Sequence, residues 1–438
     1  MVASRRPIEE SKQHMQLILR QGRVLDPSRE LDQIADLGIE NGLVSRIAAR
    51  LPEKAPKEID ARGLIVLPGF IDMHVYLREP GREDAETIES GTRAAARGGY
   101  TAVACMPNTQ PVNDSGNVTL RILDRAREVS RIPVYPIGAI TRGSRGDELA
   151  DIDDMVRAGI VAISDDGHGV QNSLIMRRAM ESARRFDIPV IDHCEDRDLA
   201  AGGCINDGHF STMLGLPGIT AAAEEVHIVR DAILARETGA RIHIAHISSR
   251  HSLAAVMRAK EDGIPITCEV TPHHLLLTEE RISSCDTNAK MNPPLRTGLD
   301  TEALVMGLAS GAIDVIATDH APHSIGDKMK EFAQAPFGVV GLETAVSLIL
   351  DRLVRPGILS LRRMVETLSL HPARILKLRG GTLAIGASAD LTVIDPDLER
   401  EVRSAEFLSR SRNTPFEGWK LRGAAVLTMV KGREVFRL

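Results

Sequence analysis

From residue 64 onward, short apolar, β-branched runs alternate with polar loops and with stretches whose apolar residues return at helical spacing. The runs are LIVLPGFID (64–72), YTAVACM (100–106), PVYPIGAI (133–140), GIVAIS (159–164), IPVID (188–192), RIHIAHI (241–247), IPITCEV (264–270) and IDVIAT (313–318), eight in all. Between them lie amphipathic segments such as TIESGTRAAARGG, LRILDRAREVS, IMRRAMESARRFD and SLAAVMRAKEDG. Gly98-Gly99, Gly159, Gly263 and Gly311 fall where such helices should stop. Strand and helix alternating eight times predict an α/β chain, a closed parallel (β/α)8 TIM barrel over residues 68–375. An open doubly wound sheet is the alternative, but neither G-x-G-x-x-G nor G-x-x-x-x-G-K-[ST] occurs.

The two ends of the chain follow another pattern. Residues 15–67 and 376–438 hold short strand-like runs divided by Gly, Asp-Pro and Asn-Gly turn signals. Each is too small to bury a core alone, so they are expected to pack together as one small β-sandwich domain formed from both termini. The helical segment 342–379 (LETAVSLILDRLVRPG…LHPARILKL) would lead from barrel to sandwich, and residues 1–14 read as a polar tail.

A chain of 438 residues accommodates a barrel of about 250 plus such additions. The net charge of -6 disfavours nucleic acid or an anionic membrane as the main partner, because both select a basic surface. Five cysteines, an odd number with no C-x-x-C spacing, suggest neither a disulfide framework nor a thiolate zinc site, and a reducing cytoplasm is the expected location. No run of about 18 apolar residues and no signal-peptide pattern is present.

In a parallel barrel, chemistry gathers where the strands end. Strand one ends in His74, Tyr76 and Arg78, at alternate positions that share one side of a strand. Strand two runs into MPNT with Asn108, strand four into SDDG, strand five into DHCE, strand six holds His246, strand seven ends TPHH and strand eight TDHAPH. Each residue alone has a plain structural reading: Asp-Gly makes turns, and a lone strand histidine is more often hydrogen-bonded core than ligand. Their joint placement argues otherwise, since histidines and carboxylates at one end of several strands are the donors that suit zinc and related divalent ions. Two ions sharing a carboxylate would activate a water and polarise a carbonyl, and Asp319 is placed to move protons between that water and a leaving nitrogen. The implied chemistry is metal-assisted hydrolysis of an amide-like bond.

With these motifs (GRVLDP, PGFIDMH, MPNT, SDDG, IDHCED, IAHIS, EVTPHH, MNPPLR, TDHAPH and GTLAIGASADLTVIDP) nearly the whole chain resembles the amidohydrolase superfamily, and within it the bacterial dihydroorotases with an aspartate between their metals. That resemblance implies interconversion of N-carbamoyl-L-aspartate and L-dihydroorotate in pyrimidine synthesis, two Zn2+ ions, a cytoplasmic enzyme, and aspartate transcarbamoylase or a second copy as partner. It implies that His74 serves one metal, His193 and His246 the other, and Asp166 both. Asp319 would be a ligand of the first metal and the acid–base. Arg78, Asn108 and His323 would hold the substrate carboxylate, with Asn292 and the backbone of Phe337 and Gly338 near the ring. The loop SIGDKMKEFAQAPFG would be free to close over the site. A bridging aspartate, with no lysine at the end of strand four, separates this pattern from hydantoinases and allantoinases.

The family motif at strand one is H-x-H-x-R, and this chain has H-x-Y-x-R. A phenol binds zinc only after losing a proton from a pKa near 10, and its oxygen overreaches a position set for imidazole. Three readings follow: a first site held weakly by His74, Asp166 and Asp319; ligation by a phenolate; or a non-catalytic homologue supporting a carbamoyltransferase. The first is favoured, because every other expected ligand and substrate contact is present.

Overall fold

The computed structural model describes residues 15–438, so the polar tail expected at 1–14 lies outside the described residues. The N-terminal part forms β1 (Leu17–Asp26), β2 (Leu31–Glu40), β3 (Leu43–Ala48) and β4 (Lys57–Asp60). The first long apolar run then divides at Gly69 into β5 (Ile65–Pro68) and β6 (Phe70–Val75). Strand β5 joins the terminal strands and β6 opens the barrel. A Cβ on Gly69 would lie 2.2 Å from Thr101 Oγ1, so glycine is what lets the backbone pass between the two sheets at this point.

The barrel is built from two parallel arcs. One joins β6 to β7 (Tyr100–Cys105) and β8 (Val134–Pro136). Strand β9 (Val190–Asp192) precedes a short ribbon of β10 (Ile205–Asn206) and β11 (Gly218–Ile219). The second arc pairs β9 with β12 (Ile242–Ile244), then β13 (Ile266–Val270) and β14 (Val315–Ile316). Single-residue parallel pairings close the ring: Gly138 with Ile163, Ile163 with Val190, and Val75 with His320. The run expected as strand four is thus reduced to Ile163. Just beyond it Asp165 accepts the Ile140 and Thr141 amides (2.8 and 3.1 Å), which turns the chain off the wall.

Helices follow as the periodicity predicts. The first, Ile88–Arg97, begins at a reciprocal Thr87–Ser90 cap and buries Ile88, Ala94, Ala95 and Ala96. Val103, Ile122, Met176, Ile228, Val256 and Leu304 fill the space between wall and helices. A fully buried side chain of this kind contributes about 1.5–3 kcal/mol. Inside the ring, Met73, Ala104, Ile137, Ala162, Ile191 and Ala245 form a floor below the polar mouth.

Both ends of the chain meet in one eight-stranded sheet, ordered β17 (Arg433–Arg437), β16 (Lys420–Val430), β15 (Leu391–Glu401), β5, β1, β2, β3, with β4 on β1. Val44 at one end and Leu427 at the other share a core with Leu37, Val66 and Val393, so the sheet folds over on itself. Between β15 and β16, residues 402–419 run back to the barrel. There Asn413 Nδ2 donates to Ala321 O (3.0 Å) and Gly338 O (3.1 Å). Among the described residues, no helix is long and apolar enough to cross a membrane.

Candidate metal centre

Every strand end singled out by its histidines and carboxylates opens on the same side of the ring, and four of these side chains, His74, His193, His246 and Asp319, gather about Asp166. Its Oδ1 lies 3.4 Å from His74 Nε2, 3.5 Å from His246 Nε2 and 3.9 Å from His193 Nδ1. Those last two nitrogens are 3.0 Å apart. On the other side, Asp319 Oδ1 is 3.5 Å from His74 Nε2. Arg78, His246 and Asp319 all have positive φ (57°, 30° and 49°), a backbone state costing on the order of 1–3 kcal/mol each in a non-glycine residue and concentrated where a site is assembled.

Charge and burial agree with that geometry. Burial by itself would raise the Asp166 pKa, but His74, His246 and His193 hold it well below the usual carboxylate range. Burial raises Asp319, which keeps it a weaker acid than an exposed aspartate and suits it to carry a proton. Asp166 Oδ1 and His74 Nε2 are buried with no hydrogen-bond partner among the described residues. Four donors around a zinc with bonds of 2.0–2.1 Å are about 3.3 Å apart, close to the spacings just given. Two imidazoles and a carboxylate oxygen at that spacing fit a divalent ion, and the unpartnered buried atoms are what such an ion would satisfy.

Sequence reading missed the supports. Glu269, the next-to-last residue of β13, accepts His74 Nδ1–H (2.6 Å) and His243 Nε2–H (3.2 Å), and the Thr267 hydroxyl donates to His243 Nδ1 (2.8 Å). Burial works against the Glu269 charge, yet His74 and His243 hold its pKa well down. The relay fixes the His74 tautomer, with Nε2 free toward Asp166. A charged residue inside an apolar run was the available signal.

Tyr76 is nearly buried, and its hydroxyl donates to Asp166 Oδ2 instead of overreaching the centre. The Arg78 guanidinium lies 4.4 Å from the centre of the tyrosine ring, and Arg78 Nε donates to Pro322 O (3.3 Å). Asn108 Nδ2 donates to Asp166 O (3.0 Å). His323 Nε2–H donates to Phe337 O (2.6 Å), and Gly338 beside it has φ 125°, where a Cβ would meet Ala321 Cβ at 2.6 Å. Asn292 faces the histidines: its Nδ2 donates to Glu195 Oε2 (2.8 Å) and sits 3.3 Å from His193 Nε2. The loop 324–338, expected to be free, is anchored. Lys328 Nζ donates to Thr287 O (2.9 Å) and Pro336 O (2.8 Å), and Lys290 Nζ to Phe332 O (2.7 Å).

Residues 63–252 match the family described as Dihydro-orotase-like. The chain is 50% identical to a dihydroorotase of Solibacter usitatus over 95% of its own length and 97% of the relative's. It is 51% identical to a dihydroorotase of Pelotomaculum thermopropionicum, over 97% and 99% of the two chains. Among solved structures, L-hydantoinase (dihydropyrimidinase) from Arthrobacter aurescens superposes with a TM-score of 0.88 at 26% identity, covering 97% of this chain and 96% of that one. Dihydropyrimidinase from Brevibacillus agri gives 0.84 at 22% identity, covering 97% and 95%, and speaks for the barrel fold alone. Near-full-length identity at this level, on a chain whose strand ends assemble one metal-binding mouth, places it in the dihydroorotase family.

Proposed function

We propose that this chain is a dihydroorotase, closing N-carbamoyl-L-aspartate to L-dihydroorotate and hydrolysing the cyclic amide in reverse, within de novo pyrimidine synthesis. The observation that carries the reading is the Asp166 cluster, in which buried, unpartnered nitrogen and oxygen donors face a proton-carrying carboxylate, Asp319, beside a cationic side chain, Arg78.

Zinc is the ion proposed for the centre, and the resemblance counts two. When bound, it supplies Lewis acidity toward a carbonyl and toward water. The protein supplies the rest. Asp319 takes the proton from the attacking water and returns it to the ring nitrogen that leaves. Among the described residues the Arg78 guanidinium hydrogen-bonds to the protein only through Nε, so its two outer nitrogens are available for the paired hydrogen bonds a carboxylate accepts. Asn108, and His323 once the substrate carboxylate displaces Phe337 O from its Nε2–H, complete that clamp, with the backbone of Phe337 and Gly338 beside it. Asn292 is assigned to holding His193 and Glu195, at the edge of the substrate ring.

The test is turnover of dihydroorotate by the zinc-loaded protein, with hydantoin and allantoin as competing substrates. Preference for either of those rings overturns the assignment. A non-catalytic role beside aspartate transcarbamoylase predicts instead no turnover even by Tyr76→His, with stable co-purification of the two chains. The meeting of His74, Asp166, His193, His246 and Asp319 in one mouth argues against it.

A further inference from the structure

A carboxylate bridges two ions most simply by presenting one oxygen to each. Asp166 is not arranged in that way. Its Oδ2 accepts the Tyr76 hydroxyl, and Oδ1 alone faces both His74 Nε2 and His246 Nε2, at 3.4 and 3.5 Å. With Oδ2 taken, a second ion would have to share Oδ1, and the first position also lacks a second imidazole. Tyr76 does not replace that imidazole, because its hydroxyl is used as a donor to Asp166.

The tyrosine is also built into its place. The residue is 8% exposed, and its ring lies 5.8 Å from the His74 ring centre to centre and carries the Arg78 guanidinium at 4.4 Å. A permanent cation stacked on this ring disfavours a second cation beside it and is itself steadied by the ring face. On the opposite side, His193 Nδ1, His246 Nε2 and Asp166 Oδ1 keep ligand spacing, and Asn292 packs against His193.

We infer that this chain binds one divalent ion, on Asp166 Oδ1 and the imidazoles that face it, His74, His246 and His193, and that the Tyr76 hydroxyl takes the place of a second ion as the partner of Asp166 Oδ2. The inference rests on the dihydroorotase reading. It gives Tyr76 two duties: it holds the metal carboxylate in a one-ion arrangement, and it seats the Arg78 clamp. Asp319 then works as a proton carrier without being a ligand.

The experiment loads the full-length protein with zinc, removes loosely held metal by desalting, and counts metal per chain. In parallel, the Mn2+-loaded protein is examined by electron paramagnetic resonance. One zinc per chain and an uncoupled manganese spectrum are expected for the protein as it is, and two zincs with an exchange-coupled manganese pair for Tyr76→His. The histidine variant should also raise KM for dihydroorotate, because Arg78 loses its platform. Two tightly held zincs, or coupled manganese, in the unaltered protein overturn the inference, and so does a phenolate band on loading with Co2+. A count of one in folded Tyr76→His removes Tyr76 as the determinant. If that variant does not fold, the count and spectrum of the unaltered protein decide alone. Absence of dihydroorotate turnover in a one-zinc sample sinks the functional reading and leaves the count standing.

Discussion

The terminal sheet and the barrel mouth both bury aspartates, and they treat them in opposite ways. In the sheet, Asp36 accepts from Arg20 Nη1 (2.8 Å), the Leu51 amide (2.9 Å) and both the amide and side chain of Gln21 (2.9 Å each), so both oxygens are occupied. At the mouth, Asp166 Oδ1 is left without a partner among the described residues, as is His74 Nε2. An unpaired buried polar atom costs about 1–3 kcal/mol, which folding alone would not retain. Asp36 has its polar pairs completed within the sheet, whereas Asp166 and His74 at the mouth are left open for a ligand. Substitutions should therefore separate the two regions by which property they damage.

The largest effect is expected from Asp319→Asn, which keeps the shape and removes the proton carrier. Turnover of dihydroorotate should fall about 10²–10⁴-fold, with the retained zinc count and the melting temperature almost unchanged. Loss of metal together with rate would show Asp319 acting as a ligand of the retained ion. Next comes Glu269→Gln, which weakens the hold on His74 Nδ1 without creating a cavity. A fall in activity of roughly 10–100-fold is expected, in line with the carboxylates that orient metal-site histidines, and zinc should still be retained. An unaffected rate would mean that the Glu269 relay only stabilises the barrel.

These two residues also show why the sequence revealed some of the site and hid the rest. Asp166, His193, His246 and Asp319 stood out because a parallel barrel delivers function at strand ends, where a polar residue interrupts an apolar run. Glu269 and His243 lie inside such runs, where alternation marks core and hides a polar relay. Alternation could not locate the wall-breaking turn at Asp165 either, since that turn depends on amides contributed by residues 140 and 141. The direction of the Tyr76 hydroxyl was out of reach for a similar reason. Side-chain length argued against ligation, but only the fold shows that Asp166 Oδ2 lies within its reach.

A smaller effect tests whether the terminal part of the chain reaches the site. Asn413 ties Ala321 to Gly338, next to the His323 amide that donates to its Oδ1 (3.3 Å). Asn413→Ala removes these bonds at about 1 kcal/mol each. It should raise KM a few-fold through the His323 and Gly338 backbone while leaving kcat close to the original value. An unchanged KM would confine residues 402–419 to a structural role.

Asp36→Asn belongs wholly to the sheet, and its effect should be on stability alone. Burial would raise this carboxyl, but the Leu51 amide, Arg20 and Gln21 together bring its pKa down to about 2. An unfolded aspartate titrates near 3.9. A carboxyl whose folded pKa lies below its unfolded one adds stability at pH values above the unfolded pKa, and loses that contribution as pH falls through the folded pKa. The gap in melting temperature between the original protein and Asp36→Asn should therefore be full at pH 7 and still near full at pH 5. It should narrow as pH drops from about 4 toward 2, while dihydroorotate turnover at pH 7, below the melting temperature, stays the same. A gap that persists undiminished at pH 2 would assign the loss to altered packing instead of charge. A drop in turnover would mean that the sheet's paired charges and the mouth's open ones are coupled, and the contrast between the two regions would fail.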